Sequence, residues 1–189
     1  MARPKRVAGE KTAYERMEDA FWGMLSDMPY HKMTGKELRE RAGVSHNTFY
    51  YYFSDLDDMA CKLFEELNIA EGPMTALAAM QQGRHPASVV AAIPDFSERY
   101  RKLCLLAGSG SPMLVGMLRN AAITAWLSAA GLSEADLTSE DHIDLEFAFG
   151  GGIALLASGM IDDPSALAGF PDREIGHGVL AKLQGLAQR

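Results

Sequence analysis

The run R-A-G-V-S-H-N-T-F-Y-Y-Y-F, Arg41 to Phe53, gathers groups that recognise other molecules. Phe49, Tyr50, Tyr51, Tyr52 and Phe53 are consecutive and follow His46, Asn47 and Thr48. An Asn amide can bond an adenine edge, and an imidazole can bond a base or a phosphate. A tyrosine offers an apolar ring to a thymine methyl and a hydroxyl to phosphate. The same rings could instead fill a core or form a protein-contact patch, where Tyr is common. Other candidates for chemistry are sparse. His142 and Glu146 are four apart, a spacing open to metal ligands but more usual on a solvated helix face. Cys61 and Cys104 are the only cysteines and read as buried, inert thiols. No nucleophile, base and orienting group stand in a recognisable order, so catalysis, a metal and a cofactor are not expected.

The elements that must position these residues are helical throughout. Apolar residues recur at a 3.6-residue period and alternating β-branched runs are scarce, so the expected fold class is all-α. A first helix is expected over about Thr12 to Asp27, stopped by Pro29. Thr34 opens a second, with Glu37 as its capping-box partner and Gly43 as its left-handed end. Ser45 caps a short third helix ending near Tyr52. A fourth starts after Ser54 or Asp55 and is expected to run to Gly72-Pro73. Further helices are expected over Met74–Gln82 and Pro86–Ile93, from an Asp95 cap to Leu106, over about Pro112–Ala130, from a cap at Ser139 or Thr138 to Met160, and from near Asp172 onward.

The second helix, the Gly43 turn and the third helix make a helix-turn-helix pattern, whose second helix can enter a major groove. A helical wheel of Ser45 to Tyr52 turns Phe49 inward, with Phe53 packing past the helix end. His46, Asn47, Tyr50 and Tyr51 point the other way. Charge agrees. Net charge is −7, yet Met1 to Phe53 carries nine Lys/Arg against seven Asp/Glu, and the remainder nine against eighteen. Nucleic acid would therefore meet the N-terminal quarter of an otherwise acidic chain.

The stretch T-G-K-E-L-R-E-R-A-G-V-S-H-N-T-F-Y-Y-Y-F-S-D-L-D-D-M, Thr34 to Met59, resembles the DNA-binding signature of tetracycline-repressor-like (TetR family) transcriptional regulators. The resemblance covers about Ala13 to Leu67. It implies phosphate contacts from Thr34, Ser45 and Thr48, and base contacts from His46, Asn47 and Tyr50. It also implies backbone contacts from Tyr51 and Tyr52. A basic arm with Arg3, Lys5 and Arg6 either reaches the minor groove or is a solvated tail. Two positions depart from the family pattern. Asn47 stands where glycine is frequent. Leu56, among Asp55, Asp57 and Asp58, stands where a phosphate-binding lysine is frequent.

The resemblance implies an N-terminal DNA-binding domain over 1–53, with its arm at 1–11, and a helical ligand-binding and dimerisation domain over 54–189. Within the latter, Phe64, Met80, Phe96, Tyr100, Met113, Met117 and Trp126 are candidates for an adaptable apolar pocket. Small residues in F-A-F-G-G-G-I-A-L-L-A-S-G-M suit helix contact rather than a phosphate loop, which would need a strand before it and a lysine. Phe147, Gly151, Ile153, Leu156, Ile175, Val179 and Leu183 are the candidates for a homodimer interface. The implied partners are operator DNA, a small-molecule effector and a second copy. The competing reading is a ligand-binding or interaction protein of the same fold with weak DNA binding. The apolar run Phe147 to Ile161 is shorter than the roughly 20 residues a membrane helix needs. The basic start has no apolar run behind it, so no signal peptide is expected and a cytoplasmic location is.

Overall fold

The computed structural model describes residues 11–85, 88, 92–160 and 173–187, and every regular element among them is helical. The chain forms two compact units that divide after Glu66. The first unit holds α1 (Ala13–Asp27), α2 (Gly35–Ala42), α3 (His46–Tyr52) and α4 (Leu56–Glu66). The second holds α5 (Glu71–Gln81), α6 (Phe96–Ala107), α7 (Pro112–Ala129), α8 (Ser139–Ala157) and α9 (Glu174–Ala187). The expected helix over Pro86–Ile93 and the arm residues Arg3, Lys5 and Arg6 fall mainly or wholly outside the described residues.

Local chemistry sets the limits of the first unit's helices. Thr12 caps α1 in a full capping box with Glu15. Thr34 caps α2 by accepting from the Glu37 amide at 3.2 Å. The Glu37 carboxylate does not complete the expected box. It lies 3.6 Å from Arg41, its neighbour one turn on. Gly43 ends α2 at φ 60°, and the Val44 amide donates to Arg39 O at 3.1 Å. The core beneath consists of Met17, Phe21, Met24 and Leu25 of α1, Leu38 and Ala42 of α2, Phe49 of α3, and Met59 and Leu63 of α4.

The fourth helix is shorter than its sequence suggests. Asn68 adopts a left-handed backbone, φ 48°, and α5 already begins at Glu71. Gly72-Pro73 reads as a terminator, yet it lies in the first turn of α5. There amide groups have no intrahelical acceptor, so a proline costs no hydrogen bond. Asp95 precedes α6 without making the expected side-chain cap bond.

In the second unit, Ile123, Leu127, Leu145 and Leu186 form a buried cluster, covered by Trp126, Phe149 and Val179. Asp141 is 1 % exposed. It accepts from the Thr138 hydroxyl at 2.7 Å and pairs with Lys182 at 2.7 Å. Lys182 also reaches Asp144 at 2.7 Å, so a single ammonium fastens α9 to two carboxylates of α8. No helix among the described residues is long and apolar enough to cross a membrane.

The Gly43 turn gives a stability prediction. A Cβ there meets no neighbour, so Gly43→Ala isolates the left-handed backbone cost. The substitution should destabilise the first unit by roughly 1–2 kcal/mol. Urea unfolding followed through buried Trp22, in a Trp126→Phe background, measures it.

Candidate nucleic-acid interface and ligand cavity

The opposite faces of α3 divide as the wheel requires. Phe49 and Phe53 are each 1 % exposed, whereas Tyr50 is 50 % and Tyr51 80 % exposed. His46 and Asn47 are also exposed. The Phe49 and Phe53 rings meet at 5.7 Å, and Phe53 packs on Tyr14 of α1 at 5.4 Å. The Arg39 guanidinium lies 6.0 Å over Phe49. Outside, His46 and Tyr50 hold one another at 4.5 Å between centroids, and Tyr51 meets Tyr52 edge to face at 4.8 Å. Tyr52 is half-buried, with its ring edge on Tyr14 at 5.6 Å. That leaves Tyr50 and Tyr51 as the fully outward pair.

The hydroxyl groups expected at phosphate all take part in caps. The Ser45 oxygen accepts from the Thr48 amide at 3.1 Å and lies 2.8 Å from the Thr48 hydroxyl. Thr34 accepts at α2 in the same way. A hydroxyl that accepts at a cap still carries its own O–H to donate. Thr34, and whichever of Ser45 and Thr48 accepts in their mutual bond, can therefore order a helix start and still donate outward.

The acidic start of α4 is built into the unit. The Asp58 amide donates to Asp55 at 2.8 Å, and the Ser54 amide donates back to Asp58 at 2.8 Å. Lys62 donates to Asp58 and to the Tyr52 carbonyl, each at 2.9 Å, tying α4 to the end of α3. The Ser54 amide, followed by Lys62, holds the Asp58 carboxyl below the usual range. The Tyr30 hydroxyl donates to Asp57 at 2.6 Å, and the Tyr14 hydroxyl donates to Glu66. Two phenols thus brace α4 at both ends. Burial, then the hydrogen bond to the carboxylate, raises both phenols above their ordinary value.

The second unit contains a cavity of about 290 Å³ lined almost wholly by apolar groups. Phe96, Tyr100 and Trp126 line it, as their spacing suggests. Phe64, Met80, Met113 and Met117 do not, and Phe64 belongs to the core of the first unit. The walls also include Leu103, Phe149, Ile153, Leu156, Asn68 and Arg99. Sequence reasoning missed these residues. The available signal was the row Phe96, Tyr100, Leu103, a single helical stripe on α6 into which Arg99 intrudes.

The expected interface residues separate into two groups. Phe147, Gly151 and Ile175 are exposed, Phe147 at 81 %. Ile153 and Leu156 instead line the cavity, and Val179 packs on the buried cluster. Ile153 and Leu156 sit on the opposite side of α8 from Phe147 and Gly151, whereas Val179 lies one turn beyond Ile175 on the same side of α9. The side chain of Leu183 lies outside those described. Glu146 is held by Arg119, whose Nε donates at 2.7 Å. Burial raises both the Cys61 and Cys104 thiols, which disfavours the reactive thiolate.

The paired phenols predict a pH response. They remain protonated in the fold at pH values where the unfolded chain ionises, near 10.0. Their contribution is intact below that pH and is lost as pH rises through the folded values. The urea midpoint of the first unit should fall above about pH 10, and fall less steeply in the Tyr14→Phe/Tyr30→Phe double variant.

Residues 19–63, from within α1 to near the end of α4, match the model for bacterial regulatory proteins of the tetR family. No curated protein and no solved structure matches the chain.

Proposed function

We propose that this chain, a tetR-family regulator by its residues 19–63, is a homodimeric repressor that leaves its operator when a small molecule occupies the cavity. The match of residues 19–63 supports the coarser reading, a DNA-binding transcriptional regulator. The finer reading rests above all on the face of α3. Exposed His46, Asn47, Tyr50 and Tyr51 stand on a helix fixed from behind by Phe49 and Phe53. In this reading Asn47, His46 and Tyr50 address base edges. Tyr51, Tyr52, Ser45, Thr48 and Thr34 address phosphates, and Arg3, Lys5 and Arg6 extend the contact.

Symmetric pairing is supported by α8. Ile143 is 68 % and Phe147 81 % exposed, and Gly150 and Gly151 continue the same face. Glycine in a helix interior costs roughly 0.5–1 kcal/mol relative to alanine, and among the described residues nothing beyond their own stretch of helix stands within 4 Å of where their Cβ atoms would be. A row of glycines beside bare apolar side chains suits close approach of another helix. Two copies would present two α3 helices to one face of a duplex. The effector would act by population shift, favouring a body conformation in which the two α3 helices no longer fit their half-sites.

Two measurements test this. Fluorescence anisotropy with the chain's own upstream DNA, at two salt concentrations, should show log affinity falling with log salt by about 0.9 per phosphate contact. Tyr51→Phe should weaken binding to all sequences alike. Asn47→Ala should relax preference at one base pair by about 1–3 kcal/mol. Salt-insensitive, unselective binding, also in a random-library selection, would overturn the operator role. Light scattering at micromolar concentration should give a dimer for the native chain and a monomer for Phe147→Glu. Gly151→Leu should act likewise, since a Cβ there meets nothing within 4 Å among the described residues.

A further inference from the structure

The cavity of the second unit has one charged side chain in its lining among the described residues, that of Arg99. The rest is dominated by groups such as Phe96, Leu103, Trp126, Phe149 and Ile153. Arg99 forms an ion pair with Glu71 through Nη1, but Glu71 is not part of the lining. Asn68 donates to the same Glu71 oxygen at 3.4 Å. Arg99 thus belongs to the cavity wall, and its counter-charge Glu71 does not.

Such a wall selects strongly. An apolar lining penalises a ligand that must shed hydration from several polar groups. A single guanidinium, with five N–H donors in a planar fork, favours one planar or tetrahedral acid group. We propose that the cavity takes a mono-anionic, otherwise apolar molecule, a carboxylate or sulfonate whose acid group meets Arg99 and whose body lies against Phe96, Trp126 and Phe149. This deepens, and rests on, the reading of the cavity as the effector site. The acid would share or displace Glu71, which opens α5 three residues after the left-handed Asn68. Occupancy is thereby felt at the first turn of α5.

The test compares two dyes of one skeleton: 8-anilinonaphthalene-1-sulfonate, and N-phenyl-1-naphthylamine, which lacks the acid. Both are titrated against the full chain by dye emission. The sulfonate should bind about tenfold tighter than the neutral dye, although the latter is more apolar, and Arg99→Gln should remove that preference while changing neutral binding by less than about twofold. Arg99→Lys, which keeps the charge, should retain part of the preference, and circular dichroism checks both folds. Gly152→Leu serves as the cavity control. Gly152 lines the space, and a Cβ there meets nothing within 4 Å, so a leucine at this position takes up cavity volume. It should abolish binding of both dyes. Equal binding of the two dyes, or sulfonate binding indifferent to Arg99→Gln, overturns the anion assignment and leaves the effector site standing. Binding that survives Gly152→Leu, or no binding of either dye, overturns the cavity reading itself.

Discussion

A helix of seven residues does not hold itself together in water, because nucleation is unfavourable and too few bonds follow. The α3 helix exists because Phe49 and Phe53 are buried on its inner side. Everything proposed for its outer side depends on that anchorage. The two rings fix rotation as well as position, so His46, Asn47, Tyr50 and Tyr51 have no alternative face. The surrounding bonds fix the remaining freedom. Arg16 of α1 donates to the Ala42 carbonyl at 3.0 Å, closing the end of α2 against α1. Lys62 of α4 does the same to the carbonyl of Tyr52. The outer face of α3 is thus fixed by carbonyl clamps at the ends of α2 and α3 and an aromatic wedge beneath.

The acidic start of α4 fits this frame differently from a bare charge count. Asp55 and Asp58 form a reciprocal cap with Ser54, and Asp57 receives the Tyr30 phenol. Each carboxylate therefore has a donor within the unit, and none of the three is an isolated surface charge. The cation that would otherwise face outward, Lys62, turns back to Asp58 and Tyr52. The start of α4 is organised for rigidity by bonds within the unit.

The first unit was legible in the sequence because its signals are local. Thr12, Thr34 and Ser45 cap, Pro29 stops, Gly43 turns left-handed, and each acts within four residues of itself. The join between α4 and α5 was not legible. Gly72-Pro73 has two meanings, terminator or first turn, and only Asn68 at φ 48° decides between them. The cavity was half legible. Aromatic spacing on α6 marked Phe96 and Tyr100, but the methionines of α5 and α7 follow no rule that separates core from cavity wall. The interface candidates divided for a related reason. The α8 helix is apolar or small around nearly its whole circumference after Glu146, so the sequence shows that faces are buried without showing what buries each one.

That uniformity has a structural consequence. At about 100° per residue, Ile143, Phe147, Gly150, Gly151 and Ala154 share one side of α8, while Phe149, Gly152, Ile153 and Leu156 share the other. The first set is exposed or open, and the second lines the cavity. Lys182 fastens α9 to the first turns of this helix through Asp141 and Asp144, so the outward faces of α8 and α9 are carried by one braced pair. Under the proposed reading, a ligand and a second copy press on opposite sides of a single helix. Glycines at its centre let it yield to either, because no side chain of their own fixes the spacing on the outer side. A polar outer face would have made α8 a simple cavity wall. An apolar one with a glycine seam is what the proposed reading needs for occupancy of the cavity to reach the pairing of two copies.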